Sequence, residues 1–326
     1  MSRIFEKRDT FKPFEYPWAY NLWLKHEKMH WTGKEVKLHE DIRDWRKKLS
    51  QEDRDFLTSA FLLFTQSDID VAGGYVNDYL PHFQHPELRM MLLGFAAREA
   101  VHIDAYSHLL ETLGFDDDFY SMFLDIEAMR DKHEALEAII SSDQSAEYLP
   151  VKIASISAFT EGMFLFTTFA LLLAYPRDGQ MKGMGQIVSW SVLDEQIHIE
   201  GLIGIFKTII EENSDWWTDA LKSELYSIAE LMLALEISFI EEVYKGIKSP
   251  RIPKETLIDY AKFIVNRRLY EMGLKMLENG ISKNPLPWID SMINSQNHEN
   301  FFETRATSYA KGALSGSWGD VWGQYS

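Results

Sequence analysis

One arrangement of charged residues occurs twice in this sequence and strongly limits how the chain can fold. A lone carboxylate on an apolar helical pattern is followed, 31 residues later in one case and 34 in the other, by a Glu-x-x-His motif. A spacing of three places Glu and His on the same face of a helix. Carboxylates on apolar faces need a cationic partner, because an unpaired buried charge is costly. The two sets are Asp68 with Glu99 and His102, and Glu161 with Glu195 and His198.

The helix that contains the first motif is apolar on the face of Glu99. At the 3, 4 and 7 spacing of a core-facing helix, this face contains Leu92, Phe95, Ala96, Glu99, His102, Ile103, Tyr106, Leu109, Leu110 and Leu113. A third match, Glu27 with His30, has no upstream carboxylate and lies among Lys25, His26 and Lys28. We interpret this third match as a solvated surface.

The periodicity of the chain predicts an all-α fold with long helices. Residues 1–34 are expected to be an irregular arm that packs along the helical body. Helices are expected at about 38–48, 50–80, 86–114, 116–141, 150–176, 181–213, 215–247 and 253–279. Several approach 30 residues, or about 45 Å, which favours a helical bundle. The expected division is a helical domain with its arm at 1–285 and a C-terminal segment with a flexible tail at 286–326.

Composition narrows the class of protein. The net charge of −17 argues against nucleic acid as a main partner. There is no Cys, so disulfides and thiolate ligands are excluded, and the N-terminus lacks an apolar signal core. No apolar run reaches about 18 residues, so no membrane span is expected, and Phe164–Tyr175 is predicted to be a buried helix. These features fit a cytoplasmic location.

The six residues of the two sets form a candidate ligand set for two metal ions. Four carboxylates balance the charge of two divalent ions, or of two trivalent ions with one bridging oxide. Oxygen and imidazole ligands without thiolate favour iron or manganese. The alternative is a set of buried ion pairs, which would require Lys or Arg on the same faces, and these faces contain none.

From about Trp31 to Tyr309, the sequence resembles the small, radical-generating subunit of class I ribonucleotide reductase. The matching motifs are Asp68, Glu99-x-x-His102-x-x-x-Tyr106, Glu161-Gly162-Met163, Asp194-Glu195-x-x-His198, Asn266-Arg267-Arg268-Leu269 and Asn297-His298-Glu299-Asn300-Phe301-Phe302 with Ser308-Tyr309. The resemblance implies a ferritin-like helical bundle with a carboxylate-bridged dimetal site. It also implies a homodimer that works with a separate large subunit in deoxyribonucleotide biosynthesis.

The resemblance further assigns expected roles to single residues. Tyr106 would hold a tyrosyl radical, and Trp31 would be the relay tryptophan. Asp194 would orient His102 and couple Trp31 to the metal site. Tyr309 would pass the radical to the large subunit, with Tyr325 as a rival for this role, and the C-terminal tail would dock to that subunit. The cofactor would be di-iron, with dimanganese or manganese–iron as alternatives, and a flavodoxin-like activase is one route to the oxidant.

Two other classes of protein are alternatives. A ferritin-like dimetal oxidase would share the six ligands, carry out two-electron chemistry on a bound substrate and need a substrate channel but no radical tail. A ferritin-like metal store would bind metal without catalysis, but such chains are usually much shorter. Tyr106, Trp31, Asp194 and Tyr309 together favour the radical-generating subunit.

Overall fold

The computed structural model describes residues 2–278 and 281–292, apart from the side chains of residues 64–66. This part of the chain is helical and contains no strand. Its α-helices are α1 (Pro17–Glu27), α2 (His39–Lys47), α3 (Gln51–Gly73), α4 (Pro86–Leu113), α5 (Glu127–Ser141), α6 (Leu149–Ile153), α7 (Leu165–Arg177), α8 (Lys182–Glu212), α9 (Asp219–Val243) and α10 (Lys254–Glu271). The all-α prediction is therefore confirmed for the described residues.

Two stretches of π-helix continue these α-helices. Gly74–Tyr79 follows α3, and Ala154–Phe164 joins α6 to α7. The joined helix Leu149–Arg177 is long and apolar enough to cross a membrane, but its apolar window is entirely buried inside the protein. The prediction of a buried helix at Phe164–Tyr175 is confirmed, since every residue in it is buried.

Local signals in the sequence set the ends of the helices on which the site depends. The Ser50 hydroxyl accepts a hydrogen bond from the Asp53 backbone amide, and the Asp53 carboxylate accepts one from the Ser50 amide, which makes a capping box at the start of α3. Gly114 ends α4 with a φ of 100°, and the Phe115 amide donates to the Leu110 carbonyl. This is the Schellman arrangement, which requires a left-handed residue that glycine adopts without strain.

Three boundaries differ from the sequence prediction. The arm is not irregular throughout, because Pro17–Glu27 forms α1, which packs against α4 and α8. The predicted helix 116–141 is split into 3₁₀ turns at Asp117–Asp125 and α5, because Ile126 has an extended backbone while Phe119 and Phe123 turn into the core. Helix α10 ends at Glu271, because Gly273 has a φ of 84° and closes a second Schellman cap.

The core lies where α3, α4, the π stretch Ala154–Phe164, α7 and α8 pack against one another. Leu286 and Ile289, just beyond the predicted boundary at residue 285, are buried in the same core. One face each of α3, α4, the π stretch Ala154–Phe164 and α8 therefore points to a common interior, and the charged residues of the sequence motifs lie on these faces.

Candidate metal centre

The six candidate ligands come from four helical segments and meet in the core. Asp68 lies on α3, Glu99 and His102 on α4, Glu161 on the π stretch Ala154–Phe164, and Glu195 and His198 on α8. All six side chains are at most 1% exposed. The sequence placed these residues on apolar faces, and the packing of the four segments turns those faces toward one another.

The six residues divide into two groups that share Glu99. One group is Asp68, Glu99 and His102, and the other is Glu99, Glu161, Glu195 and His198; within each group, one ligand atom per residue lies within 4.8 Å of the others. His198 Nδ1 is 2.9 Å from Glu99 Oε1, and His102 Nδ1 is 3.2 Å from Glu99 Oε2. The Glu99 carboxylate thus faces both groups, one oxygen to each.

The donor atoms of this cluster fit two metal ions. Both carboxylate oxygens of Asp68 and of Glu195 are buried without a hydrogen-bond partner, and so is one oxygen each of Glu99 and Glu161. Such atoms are rare in proteins unless an ion or water satisfies them. Among the described residues, no Lys or Arg forms an ion pair with these four carboxylates; only His102 and His198 do. The alternative, a set of buried ion pairs, is therefore not supported, because it requires Lys or Arg beside these carboxylates.

Without metal ions, the two histidines stabilise the charge of only some of the four carboxylates. Burial raises the pKa of Glu99, but the two histidines outweigh it and hold that pKa at about 2. Burial raises the pKa of Glu161 to about 7, against the hydrogen bond with His198, and raises that of Asp68 well above its usual range. Full ionisation of the cluster therefore requires positive charge beyond that of the histidines.

Asp194 connects the cluster to the N-terminal arm. Its Oδ2 lies 3.2 Å from His102 Nε2 and accepts a 2.7 Å hydrogen bond from Trp31 Nε1. Arg98 Nη1 donates to both oxygens of Asp194, at 3.0 and 3.1 Å. Burial raises the pKa of Asp194, but the hydrogen bond from His102 and the charge of Arg98 outweigh it and bring that pKa to about 2. Asp194 is thus an anion that contacts Trp31 and His102 at once.

The Trp31 indole lies directly over the candidate ligand His102. Their ring centres are 5.7 Å apart and the planes are 25° from parallel, and the tilted Trp190 ring lies 5.2 Å from Trp31. Trp31 is 5% exposed. The short loop from α1 to the 3₁₀ turn at Gly33–Glu35 carries it into this position.

Tyr106 lies one turn beyond His102 on the same face of α4, with its ring 6.3 Å from the imidazole. Burial, and then the charge of Asp68, raise the pKa of the Tyr106 phenol well above its usual range, while a hydrogen bond with Ser191 opposes this shift. The phenol is therefore protonated at neutral pH. The remaining predicted site residues, Tyr309 and its rival Tyr325, lie outside the described residues.

Three residues that contact the candidate ligands or Asp194 were not identified from the sequence. Tyr75 donates a 2.6 Å hydrogen bond to Glu161 Oε1, and its position seven residues after Asp68 was a usable signal. Arg98 directly precedes a ligand but gave no periodic signal of its own. His26 is fully buried, with its Nε2 3.3 Å from His198 Nε2. Ala19, Leu22 and His26 follow the 3, 7 spacing of a buried helical face.

The solvated-surface prediction for the third motif is correct for Glu27 and His30, which are exposed, but not for His26 between Lys25 and Glu27. Burial, and then the neighbouring His198, lower the pKa of His26 to about 2, so the ring is neutral. Helix α1 turns His26 inward, where α1 packs on α4 and α8.

Comparison with known proteins gives a consistent match over the whole helical body. Residues 8–285 match the family model described as ribonucleotide reductase, small chain. A probable ribonucleoside-diphosphate reductase small subunit of Invertebrate iridescent virus 6 is 43% identical, over 98% of each chain. A ribonucleoside-diphosphate reductase subunit beta of Chlamydia pneumoniae is 31% identical, over 91% of this chain and 88% of the other. The ribonucleotide reductase R2 subunit from Clostridium botulinum has the same fold, with a TM-score of 0.79 at 22% identity, over 86% of this chain and 89% of the other.

Proposed function

The chain belongs to the ribonucleotide reductase small-chain family, and from this premise we propose that it stores an oxidising equivalent on Tyr106 for a large subunit. It is the small, β subunit of class I ribonucleoside-diphosphate reductase. Membership in this family implies a large-subunit partner and a homodimer.

The proposed ligands of two metal ions are Asp68, Glu99, His102, Glu161, Glu195 and His198. The observation that carries this assignment is the set of buried, unpartnered carboxylate oxygens around a shared Glu99. When bound, two iron or manganese ions would supply a one-electron oxidant that protein side chains do not offer. We propose iron in both positions, with dimanganese and manganese–iron as outcomes that metal analysis would distinguish.

Tyr106 would lose one electron to the oxidant that the loaded and oxidised metal site supplies and one proton to a base at that site, and it would hold the resulting radical. Its raised pKa keeps the phenol protonated, so loss of the electron has to be accompanied by loss of the proton. Its burial on the core face of α4 shields the radical from solvent and from reductants. Tyr75 is also buried, but its hydroxyl donates to the proposed ligand Glu161, so we assign it to holding that carboxylate in place.

Trp31, Asp194 and His102 would form the start of the relay out of the site. The Trp31 indole N–H is donated to the carboxylate that also contacts His102 Nε2, so the indole is coupled to a ligand through one anion. Tyr309, and the tail after it, would complete the route and dock to the large subunit. The reaction would take place in the cytoplasm, and the oxidant would be oxygen itself or a species supplied by a flavodoxin-like activase.

A two-electron dimetal oxidase would share the six ligands, but family membership favours the reductase subunit. The contact from Trp31 through Asp194 to His102 also supports a one-electron relay, since an oxidase that acts on a substrate bound at the metal has no need of it. A ferritin-like metal store has no need of Tyr106 or of the relay.

The test is Tyr106→Phe in the full-length chain, loaded with Fe(II) and exposed to oxygen. The ring volume is kept and only the oxidisable hydroxyl is lost. Two ions per chain should therefore remain by metal analysis, while the tyrosyl radical signal in electron paramagnetic resonance and turnover with the large subunit should disappear.

Two buried tyrosines serve as comparisons for this variant. Tyr175 is buried, and its hydroxyl donates to the Asp53 carbonyl, away from the cluster. Tyr175→Phe should therefore leave the radical and turnover unchanged. Tyr75→Phe removes the hydrogen bond to Glu161 but should still form the radical. A radical that survives in Tyr106→Phe and is lost in Tyr75→Phe would show that the wrong tyrosine was assigned.

A further inference from the structure

We propose that His26 is the hydrogen-bond acceptor for His198 and that it makes the two metal positions of the site unequal. His102 would be supported by the anion Asp194, whereas His198 would be supported by the neutral imidazole of His26. This inference rests on the proposed dimetal site. It concerns a residue of α1 that belongs neither to the ligand set nor to the relay.

The orientation of the His198 ring sets the direction of this hydrogen bond. Its Nδ1 faces the carboxylates, at 2.9 Å from Glu99 Oε1 and 3.4 Å from Glu161 Oε1. Nδ1 is therefore the ligating atom, and a neutral imidazole that ligates through Nδ1 carries its proton on Nε2. His198 Nε2 lies 3.3 Å from His26 Nε2. His198 must donate, so His26 accepts at Nε2 and keeps its own proton on Nδ1.

The surroundings of His26 hold it in place as an acceptor. Arg98 Nη2 donates to the His26 backbone carbonyl at 3.3 Å, and the Phe95 ring meets the imidazole edge to face at 5.3 Å. Asp194 Oδ1 lies 3.5 Å from His26 Nε2, which is longer than the 3.3 Å contact with His198 Nε2. The Asp194 carboxylate already accepts hydrogen bonds from Arg98 and Trp31, so it does not depend on His26 as a donor.

The other ligand histidine has a different partner. His102 Nδ1 faces Glu99, and its Nε2 lies 3.2 Å from the carboxylate of Asp194. A carboxylate behind a metal-bound imidazole raises its basicity and orients the ring, and outer partners of this kind typically change metal affinity about 10–100-fold when they are removed. A neutral imidazole provides the orientation with less of the charge. The two positions should therefore differ in donor strength.

The experiment is a Mn(II) titration of the metal-free, full-length protein, with free Mn(II) measured by electron paramagnetic resonance. His26→Leu removes the acceptor and keeps an apolar side chain of similar bulk. It should weaken one of the two binding steps by about 10–100-fold and leave the other step unchanged. His26→Gln, whose amide oxygen can accept, should recover most of the lost affinity. Asp194→Asn should weaken the other step.

A buried histidine outside the site controls for lost packing. His85 is 3% exposed, and its Nε2 lies 2.8 Å from the Arg3 carbonyl, away from the cluster. His85→Leu should leave both binding steps unchanged. If His26→Leu weakens both steps equally, or if His26→Gln fails to restore affinity, His26 is structural only and the inference is overturned.

A second measurement needs no variant at all. In wild-type protein labelled with ¹⁵N-histidine and loaded with diamagnetic Zn(II), His26 should show a bare, pyridine-type Nε2 and a protonated, pyrrole-type Nδ1. The opposite tautomer would overturn the inference even if His26→Leu did not fold. Wild-type protein that binds fewer than two ions of both Mn(II) and Fe(II) would instead refute the proposed dimetal site, whereas two Mn(II) ions with unchanged binding in His26→Leu would refute only this inference.

Discussion

Glu99 shows how much a single residue can determine in this site. One of its oxygens faces His198 and the other faces His102, and no Lys or Arg of the described residues forms an ion pair with this carboxylate. Asp68 and Glu161 each belong to only one of the two groups. Loss of Glu99 and loss of a one-sided carboxylate should therefore have different consequences.

At this scale, Glu99→Ala is expected to lose both metal ions, whereas Glu161→Ala should lose at least one. The physical reason is that Glu99 contributes a donor atom to each group, and Glu161 to one only. Metal analysis after Fe(II) loading and desalting measures the stoichiometry. Glu27→Ala, in the exposed third Glu-x-x-His motif, is the matched control and should keep two ions. Unchanged stoichiometry in Glu161→Ala would contradict the ligand assignment.

At the scale of elements, the site depends on short segments that lie close to α4. The loop that carries Trp31 turns at Gly33, where an added Cβ would lie 2.6 Å from Ala105 Cα and 3.3 Å from Ala105 N. These are backbone atoms in the middle of a long helix and cannot move aside cheaply. The absence of a side chain at Gly33 therefore lets the loop approach α4 closely enough for Trp31 to reach Asp194.

Gly33→Ala should push this loop away from α4 and weaken the Trp31–Asp194 hydrogen bond. We expect a loss of about 1–3 kcal/mol in the free energy of unfolding, typical of overpacking, and reduced turnover with two ions still bound. Urea denaturation, metal analysis and a turnover assay measure the three effects. Gly73→Ala is the control, because its Cβ would meet only the Asn77 amide at 3.9 Å. Equal behaviour of the two variants would contradict the close-approach argument.

At the scale of the whole molecule, buried charges outside the site join distant helices. Lys132 of α5 forms an ion pair with Glu236 of α9, and Thr167 of α7 donates to the same carboxylate. The Lys132 ammonium lies 4.0 Å from the centres of the Phe164 and Phe239 rings. Burial lowers the pKa of Lys132 and raises that of Glu236, so each charge depends on the other.

Lys132→Met should therefore lower the free energy of unfolding by about 3–5 kcal/mol, because Glu236 would remain buried without its cation. Lys132→Met combined with Glu236→Leu should recover most of this loss. Since burial raises the pKa of Glu236 above its unfolded value, its protonation favours the folded state, and the loss should shrink as the pH falls from about 8 to about 5. Urea denaturation across this pH range provides the measurement. A loss independent of pH would point to lost packing instead.

We expect assembly with the large subunit to depend on the C-terminal tail, which lies outside the described residues. Deletion of residues 314–326 should abolish binding to the large subunit and leave the Tyr106 radical intact, since Trp318, Trp322 and Tyr325 would be the docking anchors. Tyr309→Phe should bind nearly normally yet give no turnover. Trp322→Ala should cost about 1–3 kcal/mol of binding free energy. Titration of each variant with the large subunit, with binding and nucleotide reduction measured together, tests these three predictions. If Tyr325→Phe were inactive and Tyr309→Phe were active, Tyr325 would be the relay tyrosine and the assignment of Tyr309 would be wrong.

The sequence by itself determined the helical class, most helix boundaries and the group of six residues that the structure brings together. These features depend on local physics: periodicity sets the buried face of each helix, and caps at Ser50 and Gly114 set the ends. A spacing of three puts Glu99 with His102, and Glu195 with His198, on common faces. The need of buried carboxylates for a cation then links the two sets even before their distance is known.

Only the tertiary structure decided which faces meet and what lies behind the ligands. Spacing along α1 gives His26 an inward position but cannot say that His198 lies opposite, because the two residues are 172 positions apart in the chain. The same holds for Tyr75 with Glu161 and for Asp194 with Arg98 and Trp31. Hydrogen bonds between distant helices depend on how the whole core packs, and that packing is set by all the buried side chains together rather than by any one motif.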